Sequence, residues 1–265
     1  MDSNLLTVDS ISIVFGGLKA VTDFSCSLGH GELVGLIGPN GAGKTTVFNM
    51  LSGIYTPTSG TMKLENAKRS VDTINGLEPH VIAKLGVART FQNIRLFKEL
   101  SVLDNVRIAM HNRVAYSALG ATLRTKAYYN EEVRIKEKSM ELLGIFDIAS
   151  KNAELAQNLP YGEQRKLEIV RALAGGPKLL LLDEPAAGMN PQETRILMDL
   201  ISFVRKNFEL TILLIEHDMN LVMGICERLI VLDYGKIIAE GIPKDIKKNP
   251  AVIKAYLGEE AVVDA

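Results

Sequence analysis

The sequence predicts an α/β fold built on a mostly parallel sheet, and three observations predict it. The first is Gly38-Pro39-Asn40-Gly41-Ala42-Gly43-Lys44-Thr45-Thr46, a full G-x-x-x-x-G-K-[ST] loop between the apolar run 33–37 and the helix-like run 46–51. The second is the apolar run 179–182, which ends abruptly in Asp183-Glu184-Pro185. The third is the alternation of helical patterns and short apolar runs after Glu163. Unbroken apolar strands between helices indicate a parallel sheet covered on both faces.

Each element follows in order. Residues 7–28 alternate as strands do, with a turn at Gly16-Gly17 and a second apolar run over 21–28,. The strand–loop–helix unit of 33–51 comes next. Thr56-Pro57-Thr58-Ser59-Gly60 is a turn, and 61–65 is a short strand,. From Pro79 the pattern becomes helical. Ser101-x-x-Asp104 resembles a capping box opening a helix over 102–112,. Residues 113–130 have weak periodicity and read as a helical insertion or a loop. Residues 131–143 are charged and amphipathic, with Val133, Ile135, Met140 and Leu143 near helical spacing; the charge run reads as a solvated face,. Helices over 163–174, 192–207 and 218–226 then alternate with strands over 179–182, 211–215 and 229–233. Pro250 and Gly258 frame a C-terminal helix, with a frayed acidic tail beyond it,.

The chain has 265 residues, of which 47% are hydrophobic, enough for one large domain or two small ones,. Thirty Lys and Arg against 31 Asp and Glu give a formal charge of -1, which argues against a dedicated nucleic-acid binder,. Cys26 and Cys226 are too few and too far apart for a disulfide framework or a zinc site, and a reducing compartment fits best,. Met1-Asp2-Ser3-Asn4 has neither the cationic nor the apolar stretch of a secretory signal,. No run approaches the roughly 18 apolar residues of a membrane span. If the protein works at a membrane, other subunits supply the spans.

The loop carries a specific chemistry. Its glycines let backbone N–H groups surround phosphate oxygens, and the following helix adds partial positive charge. Asn40, Gly41, Ala42, Gly43, Lys44, Thr45 and Thr46 are the candidate phosphate contacts, with Lys44 reaching the β- and γ-phosphates and Thr45 binding Mg²⁺,. A plain glycine turn is the alternative; the Lys-Thr register and both flanks disfavour it. Asp183 and Glu184 emerge at the C-terminal end of an inferred parallel strand, the edge where ligands sit. Asp183 suits Mg²⁺ through its water shell, and Glu184 suits orienting or deprotonating an attacking water. His217 follows another such strand and could reach a γ-phosphate or bridge to Glu184. Gln92, in Arg89-Thr90-Phe91-Gln92-Asn93, offers an amide for Mg²⁺ or the water. In Leu159-Pro160-Tyr161-Gly162-Glu163-Gln164-Arg165 a glycine at a helix start suits an anion, although an ordinary cap explains it equally well,. Phe15 could stack on a base; alone it reads as a core aromatic.

Phosphate loop, Gln92, the Gly162 segment, Asp183-Glu184 and His217 occur in the order of an ABC-type ATPase, and the resemblance covers nearly the whole chain. Finer wording resembles the LivG-type ATP-binding subunits of branched-chain amino-acid importers, with urea importers and the lipopolysaccharide-export ATPase close by. It lies in Phe15-Gly16-Gly17-Leu18-Lys19-Ala20-Val21, Arg89-Thr90-Phe91-Gln92, Leu96-Phe97, Ala186-Ala187-Gly188-Met189-Asn190-Pro191 and the ending Asn249-Pro250-Ala251-Val252-Ile253-Lys254-Ala255-Tyr256-Leu257-Gly258. The resemblance implies a P-loop NTPase (RecA-like) fold with an N-terminal antiparallel β subdomain and an inserted α-helical subdomain. It divides the single ATPase domain into a catalytic core, 1–92 and 164–265, and a helical part, 93–163. It implies ATP and Mg²⁺ as ligands, Phe15 stacking on adenine with Val21 beside it, and catalysis by Glu184, His217 and Gln92. The ion would be held by Thr45, Gln92 and Asp183. Tyr161, Gly162 and Glu163 would complete the ATP site of a second cassette facing head to tail.

Partners implied are a sister ATPase subunit in a heterodimer, two membrane permeases and, indirectly, an extracytoplasmic substrate-binding protein, at the cytoplasmic face of the inner membrane; nucleic acid is not expected. A urea, other amino-acid or lipopolysaccharide transporter is the alternative, and a soluble non-transport ATPase a more distant one. One departure stands out: the usual L-S-G-G-Q signature places Ser where this chain has Pro160, which offers neither hydroxyl nor N–H.

Overall fold

The computed structural model describes residues 4–66, 69–111, 114 and 121–257. Strands β1 (Asn4–Phe15) and β2 (Leu18–Gly29) open the chain as a hairpin. Gly16 and Gly17 turn it with φ of 52° and 93°. On its other side β1 pairs with β4 (Ser59–Glu65), and β4 pairs with β5 (Val71–Thr73). The result is a four-stranded antiparallel sheet in the order β2-β1-β4-β5, the expected N-terminal β layer.

The second sheet has six strands in the order β10-β9-β3-β8-β7-β6. β3 (Leu33–Ile37), β6 (Val87–Arg89), β7 (Leu179–Asp183), β8 (Thr211–Ile215) and β9 (Arg228–Asp233) run parallel. β10 (Lys236–Gly241) closes one edge antiparallel to β9. β3, β7 and β8 are buried along their whole length, because both faces are covered. Side chains alternate between faces, so each strand feeds two cores. Leu33 and Ile37, Leu180 and Leu182, and Ile212 and Leu214 join the helix-covered core. Val34 and Leu36, Leu179 and Leu181, and Leu213 and Ile215 join the core shared with the antiparallel sheet and helix Lys44–Leu51.

The helical part packs helix Val102–Met110 against helices Lys126–Ile145 and Tyr161–Ala174. Ser101 caps the first, its hydroxyl accepting from the Asp104 N–H at 3.0 Å. Asp104 answers the Ser101 hydroxyl rather than its backbone N–H, so the capping box is only half formed. The helix ends at Met110 rather than at residue 112. Helix Lys126–Ile145 begins before the expected residue 131, capped by Thr125. Residues 112, 113 and 115–120 of the weakly periodic stretch, and the acidic tail after 257, lie outside the described residues. The 163/164 division falls inside helix Tyr161–Ala174.

Two strands of the large sheet differ from expectation. β6 occupies a stretch read as helical: helix Pro79–Leu85 stops at Gly86, whose φ is 107°, and β6 starts at the next residue. β10 is as long as β9 but is only partly buried and lacks the unbroken apolar run that marks its neighbour. Among the described residues no helix is long and apolar enough to cross a membrane.

Candidate functional site

The C-terminal ends of the parallel strands meet at a cleft of about 330 Å³ lined by Asn40, Gly41, Ala42, Gly43, Lys44, Thr45, Thr46, Glu184 and His217, together with Leu18, Lys19, Ala20 and Tyr234. β3 delivers the phosphate loop, β7 delivers Asp183 and Glu184, and β8 delivers His217. Two glycines make the loop possible. A Cβ on Gly38 would lie 2.0 Å from the Leu232 carbonyl oxygen, and one on Gly43 would lie 2.8 Å from that of Ala20. Gly43 also caps helix Lys44–Leu51 in the left-handed region at φ 102°, with no side chain over the helix start. The first N–H groups of that helix therefore remain for an anion.

Lys44 is buried, and its ammonium donates to the carbonyls of Gly38 at 2.7 Å and Pro39 at 2.8 Å. Burial lowers its pKa, while the negative charges of Glu184 and Asp183 pull the other way. Thr45 is exposed in the cleft. Burial raises the pKa of Asp183, opposed by the hydrogen bond and charge of Arg89 and reinforced by Glu184.

Glu184 is held from two sides. Gln92 Nε2 donates to its Oε2 at 2.9 Å, and His217 Nε2 lies 2.5 Å from its Oε1. Its backbone is left-handed at φ 48°, a conformation that costs energy for a residue with a side chain,. The N–H of Glu184 donates to the Ile215 carbonyl at 2.9 Å, which fixes this bend to β8. The structure thus brings Gln92, Glu184 and His217 together beside the phosphate loop.

The segment around Gly162 points elsewhere. Tyr161, Gly162 and Glu163 start a helix on the far side of Ala187 and do not line the cleft. The Tyr161 hydroxyl donates to the Ala187 carbonyl at 3.0 Å, and Lys151 holds Glu163 at 2.6 Å. Pro160 occupies the cap position and supplies no side-chain hydrogen bond.

Two of the expected contacts lie outside the lining of this cleft. Val21 is fully buried and packs against the phosphate loop, 3.2 Å from where a Cβ on Gly43 would stand. Phe15 is exposed, but it meets Tyr55 edge-on with ring centroids 5.1 Å apart and does not line the cleft; Leu18, Lys19 and Ala20 form that wall.

Three polar residues escaped the sequence reading. Arg165, fully buried, donates to the carbonyls of Phe91 and Gln92, both at 2.7 Å, and pairs with Glu168 at 2.8 Å. It ties the Gln92 loop to helix Tyr161–Ala174. Buried Glu216 accepts the Ala186 N–H at 2.9 Å and the His217 N–H at 3.2 Å; burial raises its pKa against those two bonds. Arg89 pairs with Asp183. A buried arginine reads like a surface one in sequence, so only its neighbours reveal it.

Comparison with known proteins gives the lineage. The ABC transporter family profile matches residues 21–187, and that of the branched-chain amino acid ATP-binding cassette transporter matches residues 236–262. LivG of Salmonella typhimurium, a high-affinity branched-chain amino acid transport ATP-binding protein, is 45% identical over 98% of this chain and 100% of its own. BraF of Pseudomonas aeruginosa, described in the same words, is 43% identical with the same coverage. The lipopolysaccharide export ATP-binding protein LptB of Escherichia coli is 34% identical over 96% of this chain and 98% of its own. Among solved structures, the ADP conformation of MJ1267, an ATP-binding cassette of an ABC transporter, superposes with a TM-score of 0.82 at 31% identity, covering 97% of this chain and 100% of that one. With this cleft, this strand order and this similarity over nearly its full length, the chain belongs to the ATP-binding cassette family of ABC transporter ATPases, in the branch that contains LivG and BraF.

Proposed function

We propose that this chain powers a branched-chain amino-acid importer. It would act as one of two cassettes facing head to tail on the cytoplasmic face of the membrane, with a sister ATPase as partner and two permeases above them. The observation that carries the reading is the Gln92–Glu184–His217 cluster beside the phosphate loop, with both Glu184 oxygens engaged. ATP would place its phosphates on the N–H groups of the loop and on Lys44. Glu184 then orients the attacking water, and His217 steadies Glu184 and the charge that develops on the γ-phosphate. Stabilisation comes from fixed charges and dipoles in a closed site, not from a covalent intermediate.

The residues present fit Mg²⁺. Thr45 and Gln92 offer neutral oxygens and Asp183 a single carboxylate, the sparse hard-oxygen set this ion prefers alongside phosphates. When bound, the ion supplies charge neutralisation at the β- and γ-phosphates. The Tyr161–Glu163 segment, with Tyr161 exposed, would serve the ATP of the second cassette, which fits its absence from the lining of this cleft.

A groove of about 770 Å³, lined by Arg89, Phe91, Phe97, Ile108 and Arg171 among others, suits a cytoplasmic helix of the permease. Gln92 lies one residue from this groove, and Arg165 grips its backbone. These contacts offer a route by which a displacement in the groove would reach Glu184. LivG and BraF favour branched-chain substrates; LptB keeps a lipopolysaccharide exporter as the second reading.

The test is reconstitution of the chain with its sister ATPase and permeases in proteoliposomes. Leucine uptake driven by ATP is expected, and Glu184→Gln should retain ATP binding while losing most turnover. Wild-type turnover in that variant would refute the role of Glu184. Uptake of urea without leucine would reassign the substrate.

A further inference from the structure

Arg89 is the least expected charge in the molecule. It ends β6, and its side chain is 6% exposed, against an Asp183 side chain 5% exposed. Its Nη2 donates to Asp183 Oδ2 at 2.9 Å. Its Nη1 donates to Asn49 Oδ1 at 2.7 Å and to Ser52 Oγ at 3.0 Å, both at the C-terminal end of the phosphate-loop helix. The guanidinium stands over the rings of Phe48 and Phe91, at 5.5 and 4.9 Å from their centroids. Its Nε is buried without a hydrogen-bond partner. An unpaired buried donor is costly, and a side chain serving stability alone would be expected to avoid it. The Nη groups are instead committed to one carboxylate and one helix end.

We propose that Arg89 is the positioning residue of the metal-side carboxylate, clamping Asp183 Oδ2 so that Oδ1 remains for the ion. The inference rests on the reading of Asp183 as an Mg²⁺ site. Groups that orient metal-binding side chains are commonly worth 10–100-fold in metal affinity. A planar fork shared among three acceptors is something lysine cannot reproduce.

The test measures binding, not turnover. A fluorescent ATP analogue is titrated onto the isolated full-length chain with Mg²⁺ varied, and again in EDTA. Arg89→Met keeps the stem between the two rings and removes the fork; Arg89→Lys keeps a charge and guards against a variant that does not fold. Asp183→Asn tests the metal site itself. The expected result is an Mg²⁺ midpoint raised by about tenfold or more in Arg89→Met, with a smaller rise in Arg89→Lys. Binding in EDTA should be unchanged. A midpoint moved by Asp183→Asn but not by either Arg89 variant overturns the positioning role alone. A midpoint moved by none of the three overturns the metal reading and this inference with it. Equal losses with and without Mg²⁺ would mark Arg89 as structural and overturn the proposal.

Discussion

At the scale of single residues, burial decides which polar groups can work. Lys44, Asp183 and Glu216 are all buried, and each is displaced toward its neutral form by desolvation, then restrained by a named partner. The two cysteines show burial winning over such partners, the charges of Arg228 near Cys26 and Arg205 near Cys226. Burial raises the thiols of Cys26 and Cys226 to about 12. The thiolate is the reactive form, so at pH 8 only about one part in ten thousand of each is reactive. A chromogenic disulfide reagent at pH 8 should therefore leave the native protein unlabelled and label two thiols once urea unfolds it. Rapid stoichiometric labelling of the native chain would contradict this. The convergence of the phosphate loop, Glu184 and His217 on one cleft was legible because each follows an apolar run that reads as a parallel strand,. The complete burial of Val21 was not, because alternation along β2 gives a period without saying which face turns inward,. Nor was the edge-on contact of Phe15 with Tyr55, which a lone ring at a strand end does not announce.

Between elements, Arg165 is the strongest link. It joins helix Tyr161–Ala174 to the loop after β6 through two carbonyls, and its charge is balanced by Glu168 at 2.8 Å with both side chains essentially buried. Removing one partner of a buried pair leaves an uncompensated charge. Arg165→Met should lower unfolding free energy by about 3–5 kcal/mol, read from urea denaturation. Adding Glu168→Gln should recover part of that loss, because Gln can still accept the Arg95 N–H that Glu168 Oε1 now takes at 3.1 Å. A double variant as unstable as the single one would mean that the lost carbonyl bonds, not the stranded charge, dominate. The strands around this link differ in legibility for a physical reason. β7 and β8 are buried on both faces and read as apolar runs. β6 is three residues long, lies at the sheet edge and ends in Arg89, so the helical pattern before it overwhelmed its signal.

For the whole molecule, the phosphate-loop cleft is built without the Tyr161–Glu163 segment, which starts a helix outside its lining. In the head-to-tail pair we propose, this chain's phosphate loop and Glu184 would work with the sister's signature. The sister's phosphate loop would work with the signature that Pro160 opens. Pro160 has no hydroxyl to lend a γ-phosphate, and it gives the helix start no side-chain cap,. Tyr161 is already committed to the Ala187 carbonyl at 3.0 Å, so its hydroxyl proton does not replace the missing one. What remains for the opposing nucleotide is the partial positive charge of the helix start, together with Gly162. Loss of one donor to a transition-state oxyanion commonly costs about 10²–10³-fold in turnover, and the helix start recovers some of that. The two sites should therefore be unequal. Glu184→Gln in this chain should remove most ATP turnover of the assembled complex, and the equivalent change in the sister should remove the smaller share. Pro160→Ser should raise the contribution of the sister's site and narrow the difference. Equal residual rates from the two single variants would show that the helix terminus alone suffices, and the asymmetry would fall with that result.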